Sequence, residues 1–184
     1  MSLTDLTDEE LEARLVALHA DSFGWALNCC GHDDAEAEDV LQTTYVKILS
    51  RRATWAERSS FRTWVFGVIR FTALERGRRE RALARRAERA GRLDPDDLVG
   101  TVPAPDEDLD VRIGAAANPQ APRLREALAA VSDRQREVLH LVFYQDMTVA
   151  EAADAMGVSV GSARTHYHRG KERLRALLAV EEPA

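Results

Sequence analysis

The sequence predicts an all-α protein of two small helical domains joined by a flexible acidic linker, the C-terminal one a helix-turn-helix. Three observations predict it. Apolar residues recur at helical spacing in both halves of the chain, and no stretch alternates as a half-buried strand does. The segment from Leu93 to Pro122 breaks that pattern with Pro95, Pro103, Pro105, Pro119 and Pro122, glycines and many acids, the composition of a linker. It is long for a loop inside one compact domain, which favours two. Near the C-terminus, two capping motifs start two successive helices, and the second is ended by a glycine turn before a third helix. The expected boundaries are 1–92, a linker at 93–122, and 123–184.

The N-terminal half reads as three helices. One spans about Asp8 to Cys30. The next runs from Asp34 to Leu49, with Leu41, Tyr45, Ile48 and Leu49 on one side. The third starts after Ser60, which can cap it, and continues into an arginine block. In that third helix Phe61, Trp64, Val65, Val68 and Thr72 form one apolar side. Thr63, Phe66, Arg70 and Phe71 are expected to face elsewhere. Aromatics interleaved with arginines admit two readings: core packing, or stacking on single-stranded bases with cations along the backbone.

The C-terminal half is more specific. Ser132 to Gln135 is a capping box that starts a helix from Asp133 to about Tyr144, with Val138, Leu141 and Val142 for the core. Thr148 to Glu151 is a second capping box, starting a short helix with Ala152, Ala153 and Met156 inward. Gly157 fits the left-handed position that ends it. Val158 plugs the turn, and Ser159 caps the last helix. In that helix Ala163, Tyr167, Gly170, Leu174 and Leu177 share an inward stripe at ~100° per residue. Ser162, Arg164, Thr165, His168 and Arg169 fall on the other side. In a helix-turn-helix this part of the second helix reaches base edges in the major groove. Those five are the candidate base contacts, while Lys171, Arg173 and Arg175 suit phosphates.

Bulk properties bound the function. The net charge of −6 hides blocks of opposite sign. Residues 70–92 are dominated by arginine, 94–110 hold acids and no base, and 164–175 are basic again. Alternating blocks suit separate partners on separate surfaces. No apolar run reaches the ~20 residues of a membrane span. The acidic N-terminus lacks a signal core, so the expected compartment is the cytosol. Cys29 and Cys30 are adjacent and cannot staple a loop. With His19 and His32 nearby they match no closed zinc spacing, so no metal and no cofactor is expected. No nucleophile–base pair or phosphate loop occurs at usable spacing, and His19, His32, His140, His166 and His168 do not converge. An enzyme is therefore not expected, and no catalytic residue is assigned.

Taken in order, DAEAEDVLQTTYVKIL, FRTWVFGVIRFTALERGRRER, the linker, SDRQREVLHLVF, TVAEAADAMGVS and VGSARTHYHRGKERLR resemble the extracytoplasmic-function sigma factors of bacterial RNA polymerase. The resemblance covers nearly the whole chain except the linker and both tails. It implies that Glu38, Asp39 and Gln42 dock on the clamp coiled coil of core polymerase. It implies that the loop from Trp55 to Ser60 and the helix from Phe61 to Arg79 melt the −10 element, through Trp55, Arg62, Phe66, Arg70, Phe71, Arg78 and Arg79. The last helix would read the −35 element through Ser162, Arg164, Thr165, His168, Arg169, Lys171 and Arg173. The acidic connector would thread the RNA-exit path. Core polymerase and promoter DNA are the implied partners, and members of this family are often held by an anti-sigma factor. Three positions depart from the usual pattern: Thr43 for an acid, Phe71 for asparagine, and Gly170 for alanine. The remaining alternative is a stand-alone helix-turn-helix regulator, which would bind its site without polymerase.

Overall fold

The computed structural model describes residues 6–89 and 121–179. Among them every regular element is a helix: α1 (Asp8–Ala17), α2 (His19–Cys29), α3 (Asp34–Leu49), α4 (Phe61–Arg89), α5 (Ala121–Ala129), α6 (Asp133–Phe143), α7 (Val149–Met156) and α8 (Val160–Ala179). The linker expectation falls largely outside the described residues, and its last two positions, 121 and 122, begin α5.

The chain divides into two compact units. One holds α1, α2, α3 and α4 from Val68 onward. The other groups Ser59–Gly67, the first turns of α4, with α5 to α8.

Helix starts in the first unit obey local chemistry. Thr7 and Glu10 form a reciprocal capping box at α1, and Asp8, Glu9 and Glu10 place negative charge at its N-terminus. Asp33 caps α3 by accepting from the Glu36 N–H at 2.8 Å. The single helix expected over Asp8 to Cys30 is instead two. Leu18, at φ −96° and ψ 0°, ends α1 and begins α2. Its N–H bonds back to Arg14 and Leu15, and its carbonyl receives Ser22 N–H. The break turns Leu11 and Leu15 of α1 and Trp25 and Ala26 of α2 into burial. No glycine or proline marks it in the sequence; packing sets it. From α3, Ala37, Val40, Leu41 and Ile48 are also buried.

In the second unit the expected starts hold. Thr148 and Glu151 form the capping box of α7, and Gly157 ends that helix at φ 63° and ψ 40°. Ser159 Oγ accepts from Ser162 N–H at 3.1 Å, capping α8. Gln135 accepts from Ser132 N–H at 3.3 Å at the start of α6. Val138, Leu139, Leu141, Ala152, Ala153, Met156 and Ala163 are buried. The two alanines have little side chain to hold helices apart. Gly170 shows why an alanine is absent there. A Cβ on it would meet Leu139 Cδ1 at 3.0 Å and Gln135 Cβ at 3.2 Å. The glycine lets α8 approach α6 closely, against a helix-propensity cost of ~1 kcal/mol.

Candidate nucleic-acid and polymerase interfaces

On α8 the two sides separate as the sequence predicts. Ser162, Arg164, Thr165, His168 and Arg169 are all exposed, whereas Ala163 and Gly170 are buried. Tyr167, Leu174 and Leu177 are half-buried. Thr165 Oγ donates to the Gly161 carbonyl at 3.0 Å, and the Ser162 and Ser159 hydroxyls lie 2.9 Å apart. The two hydroxyl side chains are thus engaged locally, leaving the cationic and imidazole groups to project furthest. Lys171 lies 5.1 Å from the Tyr167 ring centre and is half-buried, while Arg173 is exposed. Phe143, 57% exposed, stacks on Tyr167 at 6.0 Å. A basic helix on a helix-turn-helix, with its small residues packed and its donors exposed, has the chemistry that suits base edges and phosphates.

One acid lies under this surface. Glu137 of α6 sits 3.2 Å from Arg134. Burial pushes its carboxyl up to about 7, against the opposing pull of the Arg134 charge.

In the first unit α3 presents a second surface. Glu38, Asp39 and Gln42 are exposed, as are Thr43, Val46 and Leu49. The sequence does not single out Val46, and its periodicity puts Leu49 on the inner side. Exposed at 59% and 43%, they continue the Asp39–Gln42 stripe at i+7 and i+10. Their apolar character at helical spacing hides this, because such residues usually mark the core.

Ion pairs stitch α3 to α4. Arg76 reaches Asp39 at 3.0 Å and Glu36 at 3.5 Å, with Glu80 of its own helix at 3.2 Å. Burial and neighbouring acids raise the Glu36 carboxyl above its ordinary value. Lys47 donates to Glu75 at 2.7 Å and to Thr72 at 3.1 Å. The Lys47 hydrogen bond holds the Glu75 carboxyl below its usual range.

The α4 expectations need correction in part. Thr63 and Phe66 are buried, at 1% and 0% exposure, and Arg70 nearly so at 8%, so these three do not face outward. The reason is that α4 is packed on more than one side. Val65, Ile69 and Thr72 are buried too, whereas Phe61, Trp64 and Val68 of the expected core stripe are only half-buried. A helix apolar on several faces is a buried one. Arg62, grouped with the second unit, donates to the Gln145 backbone carbonyl at 2.7 Å and to its side-chain oxygen at 2.8 Å. Its guanidinium also lies 5.3 Å from the Phe66 ring centre. Trp55 is half-buried, and Arg78 and Arg79 are exposed. Phe71 is 57% exposed, with Lys47 Nζ 5.8 Å from its ring centre. The position that departs from the family pattern therefore places an aromatic ring on the surface.

Cys29 and Cys30 are free and half-buried. Burial, and secondarily Glu36, pushes the Cys30 thiol up to about 12, so it stays protonated and a poor nucleophile. Among the described residues no group of three His, Cys, Asp or Glu is placed to hold a metal. No described helix is long and apolar enough to cross a membrane.

Two helical units carrying a helix-turn-helix define a DNA-binding transcription protein. Family models narrow the class: Sigma-70 region 2 matches residues 16–83 and Sigma-70 region 4 matches 122–174. The chain is 31% identical over 146 residues to the ECF RNA polymerase sigma factor SigX of Bacillus subtilis, covering 78% of this chain and 71% of that one. It is 29% identical to the RNA polymerase sigma factor CnrH of Cupriavidus metallidurans, over 90% and 85% of the two chains. Among solved structures, the fold resembles sigma factor RpoE of Bartonella quintana, crystallised with the anti-sigma factor NepR. That match has a TM-score of 0.63 and 19% identity, covering 93% of this chain and 98% of that one. It also resembles CnrH in complex with the cytosolic domain of CnrY, at TM-score 0.61 and 19% identity, covering 98% and 94%. The chain belongs to the extracytoplasmic-function sigma factors, which direct promoter-specific transcription initiation by RNA polymerase. The region 2 match, in the half that a stand-alone regulator would use for a sensor, sets that alternative aside.

Proposed function

We propose a division of labour among three segments. Residues 1–92 dock on core polymerase and open the −10 element, residues 93–122 connect, and residues 123–184 read the −35 element. Core polymerase is gripped by the α3 stripe of Glu38, Asp39 and Gln42, extended by Val46 and Leu49. The −10 element is held by Trp55, Phe71, Arg78 and Arg79, the members of the expected set that are not buried and not bonded to Gln145. Arg164, His168 and Arg169 reach base edges upstream, with Ser162 and Thr165 beside them and Lys171 and Arg173 on phosphates.

The observation that carries this reading is the α8 split: five donor-bearing side chains exposed on one side, Ala163 and Gly170 buried on the other. In this reading the chain itself makes and breaks no bond, and the polymerase supplies the chemistry. The protein works in the cytoplasm, where its DNA is. Because RpoE is crystallised with the anti-sigma factor NepR and CnrH with the cytosolic domain of CnrY, this chain too is held by an anti-sigma factor when idle.

The experiment is assembly with core bacterial RNA polymerase. Asp39→Ala with Gln42→Ala weakens holoenzyme formation, measured by fluorescence anisotropy of labelled protein, while the −35 base preferences of the holoenzyme that still forms stay unchanged. Undiminished assembly would rule out the α3 assignment.

A further inference from the structure

The far end of α4 is unlike the rest of the first unit. Between residues 78 and 86 the helix carries five arginines and one acid. Arg78, Arg79, Arg81, Arg85 and Arg86 are all exposed, as is Leu83 at 63%. The one acid, Glu80, is paired with Arg76 at 3.2 Å. Arg81 Nε donates to the Gly77 carbonyl at 2.8 Å, which lays its guanidinium back along the helix over Gly77 while the side chain stays exposed.

The five cations are not spread around the helix. At ~100° per residue, Arg78, Arg81 and Arg85 fall within an arc of about 60°, and Arg79 and Arg86 lie within about 20° of each other beside it. Glu80 falls on the opposite side, and Leu83 borders the ridge about 40° from Arg79. The ridge is about 12 Å long at 1.5 Å per residue. Holding like charges this close on an exposed helix costs stability, so the arrangement calls for an anion of matching density. Duplex DNA supplies one charge per ~1.7 Å of axis. No aromatic residue lies between 78 and 86, so the ridge lacks the aromatic platforms on which successive unpaired bases stack. The region 2 match ends at residue 83, so Arg85 and Arg86 lie beyond the shared family segment.

We propose that the arginine ridge of α4, centred on Arg81, Arg85 and Arg86, binds the phosphates of double-stranded DNA flanking the −10 element, without reading sequence. The proposal rests on the sigma-factor reading above, in which Phe71 and Arg78 of the same helix meet the −10 element. Arg85 is fourteen residues beyond Phe71, or about 21 Å along the helix, so the ridge reaches duplex that the melted segment does not include.

The test uses holoenzyme assembled from the full chain and core polymerase, on a promoter fragment that the wild type transcribes. Promoter affinity is measured against potassium chloride concentration. The triple substitution Arg81→Gln, Arg85→Gln, Arg86→Gln is expected to lower the magnitude of the log–log salt slope by about 2 to 3, near 0.9 per phosphate lost, with start positions and holoenzyme affinity unchanged. The matching Arg→Lys triple keeps the slope, because it keeps the charge. An unchanged slope in the Gln variant overturns the proposal. So does a loss seen equally on a pre-melted template lacking the flanking duplex, which would mean a single-strand contact. Weakened holoenzyme assembly also overturns it, because the ridge would then face the polymerase. If wild-type holoenzyme starts nowhere, the underlying sigma reading fails instead, a result distinct from any of these.

Discussion

Helices α4 and α8 both carry basic side chains proposed to meet promoter DNA, yet they differ in how they are built. Along α8 one stripe is buried and the other is exposed, so each position has one job. Its small residues, Ala163 and Gly170, set the packing distance, and its donors stand outside. Along α4 several faces are buried at once. Thr63, Val65, Phe66, Ile69, Arg70 and Thr72 all lie inside, and the exposed described positions are Phe71 and those in the end of the helix from Arg78 onward. A recognition helix with a single packed face can change its readout side chains with little effect on folding. A helix packed on several sides cannot, and its exposed residues are confined to one ring and one end.

The strongest way to break that comparison is to strike a surface that is apolar yet exposed. Val46→Asp with Leu49→Asp on α3 should weaken core-polymerase binding by tenfold or more, about 1.4 kcal/mol, with the thermal midpoint of the free protein little changed. Equilibrium binding and a melting curve check both halves. A large drop in the midpoint would mean that these side chains serve the core.

A smaller effect is expected from Gly170→Ala. In an open helix interior the change would stabilise by ~1 kcal/mol. Here the new methyl meets Leu139 Cδ1 at 3.0 Å and Gln135 Cβ at 3.2 Å, and Leu139 is 2% exposed with nowhere to go. The substitution should instead destabilise by about 1 kcal/mol, read by urea unfolding of the full chain. A gain in stability would show that α6 and α8 separate freely.

The smallest effect concerns pH. Burial raises the folded carboxyl of Glu137 to about 7, above its unfolded value near ~4.3. The folded state therefore binds the proton more tightly. The stability this contributes is complete below the unfolded value and is lost as pH rises through about 7. Glu137→Gln should flatten the fall in melting temperature between pH 5 and 8, an interval set by these two values, and raise stability at the alkaline end. An identical pH profile in the variant would place the charge of Glu137 in a solvated or fully compensated setting.

Legibility in the sequence divides along the same contrast. The bounds of α3, the Thr148 capping box, the left-handed Gly157 and the two faces of α8 are all readable, because each depends on residues within one or two turns. The break at Leu18 is not, since no glycine or proline marks it and its effect, the burial of Leu11, Leu15, Trp25 and Ala26, is a matter of packing. The buried faces of α4 escape the sequence because aromatics and arginines look alike there whether they stack, pack or pair. Phe66 packs, and Arg62 bonds to Gln145 eighty-three residues away. The Arg76 cluster with Glu36 and Asp39 likewise joins residues that no local pattern links. Gly170 reads as a defect in a helix until its distance to Leu139 explains it.

The central claim is that α8 reads the upstream promoter element within a holoenzyme. It is tested most directly by transcribing a library of random promoter fragments with core polymerase plus either the wild type or Arg164→Ala. Wild-type starts should depend on this protein and show base preferences in two separated blocks. Arg164→Ala should flatten the preference at one upstream position, at a cost of roughly 1–3 kcal/mol, and leave the downstream block intact. Upstream preferences identical in the two proteins would contradict the assignment of α8.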